Sequence, residues 1–373
     1  MQATRATIHL ENLRHNLGAA RRIAGTHPKI CFPVKADAYG HGAVALSKFA
    51  LGAGADYLAV ARVSEGVELR VAGIKAPILV LSQALPEELK SIVAHDLAPL
   101  VSDEDFTMEA AKVAEQERKQ LNVHLKIDSG MGRLGCKPED AASLAGKIAS
   151  CKQLHLEGVA THLSVSDSQE ADDVAYTREQ ISRFKEAVAS IKDAGFDPGI
   201  VHAANSGALL FHENSYFDMV RPGIFLYGYT PFGSMQLVNG SSPVKPIMEL
   251  RSKVTLIKRL KKGEAISYGR TWVTKEDTFI GVIPAGYADG LPRGLSNNHS
   301  VQILGKEYPL VGRVCMDNSM VNLGSETEVK RWDDVVIFGP GFLNAADLAG
   351  KLNTIPYEIT CGITKRVIRE YVG

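Results

Sequence analysis

Several apolar runs of this sequence are followed directly by a polar side chain that could take part in catalysis, and the first of these is a lysine. Lys35 ends the apolar run in the stretch "CFPVKADAYGHG", residues 31–42. Other polar residues stand at or just after the ends of later runs: Arg62, Lys126, Asp128, His162, Asn205, Ser206 and Arg221. A lone lysine at such a point is ordinarily solvated. A lysine amine is also a nucleophile toward carbonyl compounds, so the set as a whole indicates an active site.

Two kinds of site fit these residue types. Metal-dependent hydrolysis is disfavoured, because the sequence has no His-x-His pair and no close His/Asp cluster. Phosphate binding is better supported, because Asn205–Ser206–Gly207 opens a predicted helix whose free N–H groups attract anions. Gly223 and Ile224 offer a second pair of backbone donors. A reactive lysine beside a phosphate site indicates pyridoxal phosphate.

The elements that must hold these residues alternate between strands and helices. Apolar runs predict strands at residues 30–35, 57–60, 77–81, 98–101, 123–127, 156–161, 200–203 and 219–226, with amphipathic helices between them. Such alternation is typical of a parallel sheet with crossover helices. Eight strands in roughly 230 residues favour a (β/α)8 barrel, whose active site lies at the carboxyl ends of its strands.

A doubly wound open sheet is the alternative fold. It would place a G-x-G-x-x-G fingerprint after the first strand, and "KADAYGHG" does not contain one. Pro33 lies inside the first predicted strand, where it removes a ladder donor and weakens the case for that strand's pairing.

The composition changes near residue 235. The stretch "GSMQLVNGSSPVKP", residues 233–246, is rich in Gly, Ser and Pro and indicates a domain boundary. Short β-rich runs separated by Gly, Asn and Asp turns follow it and predict a smaller, mainly β domain. We therefore expect a barrel domain at residues 1–237 and a mainly β domain at residues 238–373, with residues 1–10 as a candidate strand of the latter.

The overall composition is that of an ordinary globular protein. The 373 residues are 45% hydrophobic and 23% charged, with zero formal net charge, so no overall field favours nucleic acid or a membrane surface. No apolar stretch approaches the ~20 residues of a membrane span. Five cysteines without a CxxC pair favour reduced thiols and disfavour a structural zinc. We expect a cytoplasmic protein without metal, nucleic-acid or membrane partners.

Eight motifs make the sequence resemble the alanine racemase family. They are "VKADAYGHG", "IDSGMGRLG", "HAANSGA", "RPGIFLYG", "SYGRTW", "AGYADG", "GRVCMD" and "YEITCGI", in order from residue 34 to residue 363. Members are fold-type III pyridoxal-phosphate enzymes that interconvert L- and D-alanine. The resemblance implies this fold, cofactor and activity, with D-alanine supplied for peptidoglycan synthesis.

The resemblance also implies a cofactor site, residue by residue. Lys35 matches the lysine that carries pyridoxal 5'-phosphate as an internal aldimine. Arg221 matches the arginine that faces the pyridine nitrogen, and His162 matches the histidine that supports this arginine and the catalytic tyrosine. The other matching cofactor contacts are Tyr39, Asn205, Ser206, Gly223, Ile224 and Tyr357.

Racemisation requires a base on each face of a planar carbanion. The resemblance implies that Lys35 covers one face and that Tyr268 of the partner subunit covers the other. A phenol has a pKa of ~10, so it needs positive charge nearby to act as a base at neutral pH. The expected assembly is a homodimer with two shared active sites.

The matching positions also name substrate contacts and supporting residues. Arg133 and the backbone N–H of Met316 match groups that hold the substrate carboxylate, a pairing suited to a guanidinium fork. Lys126 matches a lysine that is carbamylated to N6-carboxylysine in many members; an unmodified lysine paired with an acid stays open. Tyr287 and Asp317 match residues of the narrow access channel.

Two related kinds of pyridoxal-phosphate protein fit less well. Amino-acid decarboxylases of this architecture place an acid at the ring nitrogen, where this sequence has Arg221. A non-catalytic pyridoxal-phosphate homeostasis protein has the barrel and the early lysine but lacks a second domain, and residues 240–373 count against it.

Overall fold

The computed structural model describes residues 2–230 and 243–373. Their contacts divide the chain into two compact units. The barrel unit comprises Asn16–Ala38 and Ala43–Leu226, and the β unit comprises Met1–His15, Tyr39–Gly42 and Tyr227–Gly373. The predicted boundary between residues 237 and 238 lies outside the described residues.

Eight parallel strands form the barrel unit's core. The strands up to residue 230 are β1 (Arg5–His9), β2 (Lys29–Pro33), β3 (Tyr57–Val60), β4 (Ile78–Val80), β5 (Ala98–Val101), β6 (Leu121–Lys126), β7 (Leu154–Ala160), β8 (Ile200–His202) and β9 (Met219–Val220). Strands β2 to β9 pair in sequence order, and β9 pairs back onto β2 to close the barrel. The predicted (β/α)8 barrel is confirmed.

Helices follow the barrel strands. Those up to residue 230 are α1 (Leu10–Ala24), α2 (Lys35–Gly40), α3 (Ala43–Gly52), α4 (Val63–Val71), α5 (Leu89–Ala94), α6 (Glu104–Gln116), α7 (Ala141–Ser150), α8 (Ala171–Asp193), α9 (Ser206–Phe211) and α10 (Gly223–Leu226). Local signals fix several of their ends. Asp103 caps α6, for example, because its carboxylate accepts the backbone N–H of Phe106 at 2.7 Å.

Side chains from most of these strands pack together as a buried cluster in the barrel unit. Its members are Cys31, Tyr57, Ala59, Leu79, Ala98, Leu100, Ala160 and Met219. Parallel strands are covered on both faces, which explains why they read as continuous apolar runs in the sequence. Half of these side chains are small, namely Cys31 and three alanines. They leave room in the barrel unit for large buried polar residues such as Arg221 and His202.

The β unit is built mainly from strands. It contains β10 (Met248–Lys253), β11 (Leu256–Leu260), β12 (Ala265–Ile266), β13 (Trp272–Val273), β14 (Thr278–Ile283), β15 (Ser300–Ile303), β16 (Lys306–Pro309), β17 (Ser319–Gly324), β18 (Asp334–Phe338) and β19 (Ile368–Val372), with α11 (Ala345–Leu352) and α12 (Pro356–Cys361). A six-stranded sheet has the order β16-β15-β18-β10-β1-β19, so the first strand of the chain pairs within this unit. The predicted mainly β character of this region is confirmed.

Six of the eight predicted strands differ from the observed ones at one or both ends, and the differences in the first and the last strand have a physical reason. The first predicted strand, residues 30–35, ends at Pro33 as β2. The backbone N–H of Val34 donates the next interstrand hydrogen bond to the Ala59 carbonyl at 2.7 Å, so the proline lies at the end of the strand and does not interrupt it. The predicted strand at residues 219–226 is wrong beyond Val220, because residues 223–226 form α10. A short, fully buried apolar run does not distinguish strand from helix by its periodicity.

Three further observations concern residues 2–230 and 243–373. No helix there is long and apolar enough to cross a membrane. No group of three or more His, Cys, Asp or Glu side chains in these ranges could hold a metal ion. The five cysteines are free thiols.

Candidate active site

Lys35 begins α2, whose backbone has a left-handed conformation. Residues 36–39 have φ values of 52° to 53°. For L-residues this conformation costs about 1–2 kcal/mol each, and it is normally adopted by isolated residues. Such strain persists where the surrounding structure over-determines the backbone, and it clusters at ligand sites. The strain therefore marks the segment after β2 as a candidate functional position.

Glu65 holds the start of this strained segment in place. One carboxylate oxygen accepts the backbone N–H of Ala36 at 2.6 Å, and the other accepts those of Ala61 and Arg62 at 2.8 and 3.0 Å. Sequence reasoning missed this residue. Its signal was a glutamate three residues after Arg62, the spacing of a helix capping box.

Five basic side chains gather at the carboxyl ends of the barrel strands, and we call them the cationic mouth. They are Lys35, Lys126, Arg133, His162 and Arg221. Burial lowers the pKa of His162 well below its ordinary value, and the charges of the other four lower it further. His162 is therefore neutral at neutral pH, and the mouth as a whole favours anions such as phosphate and carboxylate.

Lys126 is buried within the mouth, with 6% of its surface exposed. Burial lowers the pKa of its amine well below the ordinary value, the charges of Arg221 and Arg133 act in the same direction, and Asp128 opposes them. Asp128 itself is held by the backbone, because its carboxylate accepts the N–H groups of residues 130–132. The Lys126 amine is therefore easier to deprotonate, and so a better nucleophile near neutral pH, than that of an exposed lysine.

Arg221 is fixed by three hydrogen bonds in the barrel unit. Its Nη1 donates to Nδ1 of His202 at 2.6 Å, and its Nη2 donates to the carbonyls of Thr161 and Ala203 at 2.8 and 3.1 Å. Burial lowers its pKa to about 10, so the guanidinium stays charged at neutral pH. Sequence reasoning expected His162 to support this arginine and missed His202, although His202 opens the motif "HAANSGA".

Two helix starts meet beside the mouth. Asn205 caps α9, its side chain accepting a backbone N–H of the first turn at 3.0 Å. Ser206 follows it, and Ser206 Oγ accepts the backbone N–H of Phe225 from α10 at 3.3 Å. The first N–H groups of a helix have no partner within it, so those of Gly223 and Ile224 at the start of α10 are candidate donors to an anion.

Tyr39 lies in an aromatic cluster of the β unit. Its ring centroid is 4.6 Å from that of Tyr227 and 5.6 Å from that of Tyr357. Burial raises the pKa of the Tyr39 phenol, and its neighbours Tyr357 and Cys361 raise it further. The phenol therefore remains protonated and can donate a hydrogen bond.

Gly40 follows Tyr39 at a point where no side chain fits. Its φ is 82°, and a Cβ atom there would overlap the carbonyl oxygen of Thr360. Arg369 donates from Nε and Nη2 to the Gly40 carbonyl at 3.0 and 2.8 Å. A glycine is therefore required where the left-handed segment ends, because the backbone there packs directly against Thr360 and Arg369 of the β unit.

Three predicted site residues of the β unit are exposed. Tyr268, Met316 and Tyr287 have 71%, 53% and 42% of their surfaces exposed. Tyr268 lies in a strained turn, because Ser267 and Arg270 beside it have φ values of 63° and 50°. These three side chains are therefore accessible to another surface.

Asp317, by contrast, is paired within the β unit. Arg366 donates from Nη2 to its carboxylate at 2.9 Å, and the Nε of the same arginine lies 2.8 Å from Asp289. The ion pair fixes the position of Asp317 next to the exposed Met316.

Two family models match this chain in succession. The model described as "Alanine racemase, N-terminal domain" matches residues 8–231, and that described as "Alanine racemase, C-terminal domain" matches residues 247–371. The chain belongs to the alanine racemase family. The resemblance found in the sequence motifs is confirmed.

Individual racemases match over the full length. An alanine racemase of Treponema denticola is 47% identical, with 100% of this chain and 99% of the relative covered. One of Treponema pallidum is 44% identical with both chains fully covered. The solved alanine racemase of Clostridium difficile 630 superposes with a TM-score of 0.93 at 36% identity, covering 100% of this chain and 96% of that one.

As a member of this family, the racemase is an isomerase that interconverts L- and D-alanine. Its predicted site residues divide between the two units. The barrel unit carries Lys35, Lys126, Arg133, His162, Asn205, Ser206, Arg221, Gly223 and Ile224, and the β unit carries Tyr39, Tyr268, Tyr287, Met316, Asp317 and Tyr357.

Proposed function

We propose that the racemase uses pyridoxal 5'-phosphate held on Lys35 and moves the Cα proton of alanine by two bases. The observation that carries this proposal is the cationic mouth, which combines a lysine on a strained segment with a fixed arginine and two helix starts. The product D-alanine would be made in the cytoplasm and supplied for peptidoglycan synthesis.

The donor groups fit the anionic end of this cofactor. The hydroxyl of Ser206 and the N–H groups of Gly223 and Ile224 suit a phosphate, because helix starts and hydroxyls donate to phosphate oxygens. The phenols of Tyr39 and Tyr357 are the further donors that we assign to it. The positive charge of the mouth stabilises the phosphate in a buried position.

Pyridoxal phosphate, when bound, supplies a conjugated ring that withdraws electrons from the Cα atom of an attached amino acid. Arg221 controls how strongly it does so. A guanidinium at the ring nitrogen donates a hydrogen bond and does not give up its proton, so it leaves that nitrogen unprotonated. The electron demand at Cα is thereby limited, which restricts side reactions such as transamination.

Two groups exchange the proton at Cα. Lys35 holds it at Nζ on one face, and Tyr268 of the partner subunit holds it at its phenol oxygen on the other. The cationic mouth supplies the positive charge that a phenol requires to act as a base at neutral pH. Neutral His162 lies in the mouth and orients this phenol.

We infer a homodimer with two shared active sites. Tyr268, Met316 and Tyr287 are exposed on the β unit, so they are available to a second copy of the chain. Arg133 and the backbone N–H of Met316 would then hold the substrate carboxylate from two subunits. Tyr287 and Asp317 would line the access channel.

Lys126 is a site of carbamylation in this proposal. A neutral buried amine adds to carbon dioxide and releases a proton, which yields an N6-carboxylysine anion. That anion offsets the charge of the cationic mouth and accepts a hydrogen bond from Arg133. Mass spectrometry under native conditions would detect the added carboxyl group.

Purified full-length protein mixed with pyridoxal phosphate and L-alanine tests the proposal. We expect D-alanine by chiral chromatography, and an absorbance of the bound cofactor that borohydride abolishes while fixing its mass on Lys35. Absence of both attached cofactor and D-alanine would refute the assignment.

A further inference from the structure

Four polar side chains form a hydrogen-bonded chain through the interior of the barrel unit, and we call it the polar column. Arg221 Nη1 lies 2.6 Å from His202 Nδ1, His202 Nε2 lies 2.9 Å from His124 Nδ1, and His124 Nε2 lies 3.0 Å from Glu157 Oε2. Barrel interiors are usually filled by branched apolar side chains. A continuous polar path there requires a reason.

The column begins in the cationic mouth and ends at a partly exposed carboxylate. His124 and His202 are completely buried, Arg221 is 5% exposed, and the Glu157 side chain is 16% exposed. The barrel makes room for it at Gly158, where a Cβ atom would lie 2.5 Å from Nδ1 of His124. The path is thus built into the packing of the strands.

The two ends of the column determine the direction of every hydrogen bond. Arg221 can only donate, so Nδ1 of His202 accepts and its Nε2 carries the proton. That proton is donated to Nδ1 of His124, which leaves Nε2 of His124 as the donor to Glu157. Both imidazoles are therefore neutral and carry their proton on Nε2, since any other state places two donors or two acceptors face to face.

The electrostatics of the ends agree with this arrangement. Burial lowers the pKa of His202 well below its ordinary value, and the charge of Arg221 lowers it further. Burial raises the pKa of the Glu157 carboxyl, but opposing interactions, led by the hydrogen bond from His124, bring it below its ordinary value. Tyr57 and Asn122 both donate to Oε1 of Glu157 at 3.3 Å, so the anion is fixed at the far end.

We propose that Glu157 is a positioning residue for Arg221 and acts through His124 and His202. Its carboxylate selects one tautomer of both imidazoles, and that tautomer presents Nδ1 of His202 as the acceptor that orients the guanidinium. The anion also balances the buried charge of Arg221 along the column. The proposal rests on the proposed function in one respect, namely that Arg221 faces the cofactor ring.

The tautomers are tested by ¹⁵N NMR of the full-length protein labelled at histidine, without added pyridoxal phosphate. We expect His202 and His124 to be neutral and protonated at Nε2 in the wild type. The Glu157→Gln variant should lose this single state, because an amide can present either an oxygen or an NH₂ group to His124. The exposed Glu115→Gln on α6 is the matched control and should leave both signals unchanged.

Either of two results overturns the proposal. One is a wild-type spectrum in which His202 is cationic or protonated at Nδ1. This result needs no variant, so it holds even if Glu157→Gln does not fold. The other is a Glu157→Gln spectrum identical to that of the wild type. Neither result depends on whether the chain racemises alanine, so failure here is distinct from failure of the proposed function.

Kinetics then test whether the column acts through Arg221. We expect Glu157→Gln to lower kcat about tenfold with little change in KM, the size typical of residues that orient a functional group from behind. In an Arg221→Lys background the same change should have no further effect, because lysine cannot reproduce the guanidinium fork. An equal loss in both backgrounds would mean that Glu157 serves only the fold.

Discussion

Two predicted site residues of the barrel unit and two of the β unit differ sharply in their exposure. In the barrel unit, Arg221 and Lys126 are 5% and 6% exposed, and the guanidinium of Arg221 is fixed by its own unit. In the β unit, Tyr268 and Met316 are 71% and 53% exposed. The side chains of Arg221 and Lys126 are therefore buried within the fold, whereas those of Tyr268 and Met316 face outward.

This difference separates two tasks. Buried cations tuned by neighbouring charges hold a cofactor in one state, because a low-dielectric setting strengthens their interactions. An exposed phenol such as that of Tyr268 lacks this low-dielectric setting until a second surface covers it. We therefore expect loss of Lys35 in the barrel unit to abolish cofactor attachment and loss of Tyr268 in the β unit to block only proton transfer.

Replacing the lysine of the barrel unit should have the largest effect. Lys35→Ala is expected to remove both covalent attachment and one base, lowering kcat by more than about 10⁴-fold. The measurement is D-alanine formation together with the mass of the borohydride-treated chain. Lys112→Ala on α6 is the control, and attachment retained in Lys35→Ala would show that another lysine carries the cofactor.

Replacing the exposed phenol of the β unit should leave the cofactor attached. Tyr268→Phe is expected to lower racemisation by about 10²–10⁴-fold, because one of two bases is lost. In deuterated water, one enantiomer of alanine should still exchange its Cα proton and the other should not. The control is Tyr308→Phe in the same unit, and normal racemisation by Tyr268→Phe would disprove the two-base assignment.

Mixing two inactive variants tests whether the β unit acts in the partner's site. In a 1:1 mixture of Lys35→Ala and Tyr268→Phe, half of the dimers are hybrids with one intact site of two, so about a quarter of the wild-type activity should return. The activity is measured after the subunits have been allowed to exchange. No recovery despite hybrid dimers would place both bases in one chain.

The buried histidines of the barrel unit should make stability depend on pH. Burial lowers the pKa of His162 and His202, so the unfolded chain binds these protons first as the pH falls below about 6.5. Stability present above that pH should then decline by about 1.4 kcal/mol per pH unit for each histidine. Denaturation between pH 7 and pH 5 at fixed protein concentration measures this.

One substitution and one control sharpen that measurement. His202→Asn should reduce the slope of unfolding free energy against pH by the contribution of one histidine, about 1.4 kcal/mol per pH unit, because asparagine does not titrate. Replacing the exposed Asn298, which carries no titratable group, should leave the slope unchanged. A slope that is the same in wild type and His202→Asn would show that His202 does not titrate on unfolding.

Much of the fold was predictable from the chain because local signals agreed with the global architecture. Strands β3 and β5 have the predicted bounds, since continuous apolar runs bounded by polar turns are typical of buried parallel strands. The run at residues 219–226 misled, because burial on all sides hides the period of α10. The left-handed segment after Lys35 was also invisible, since only the surrounding packing stabilises it.

The site divides in the same way. Lys35 and Arg221 were predicted as site residues from residue type and position at strand ends, and the predicted helix start at Asn205 is confirmed. Glu65, His124, His202 and Glu157 were missed, because each acts through another residue and lies far from it in sequence. In the sequence, a polar residue inside a barrel strand only interrupts an apolar run. Its hydrogen-bond partner lies tens of residues away along the chain, so the sequence does not reveal the pair.

The sequence by itself determined the alternation of strands and helices, the motifs of the family and the chemical types at the strand ends, since these depend on local order along the chain. The tertiary structure decided which of those groups are buried, neutral or fixed, because burial and charge depend on neighbours brought together by folding. It alone shows that Arg221 is held by His202 and, through a column of polar side chains, linked to Glu157.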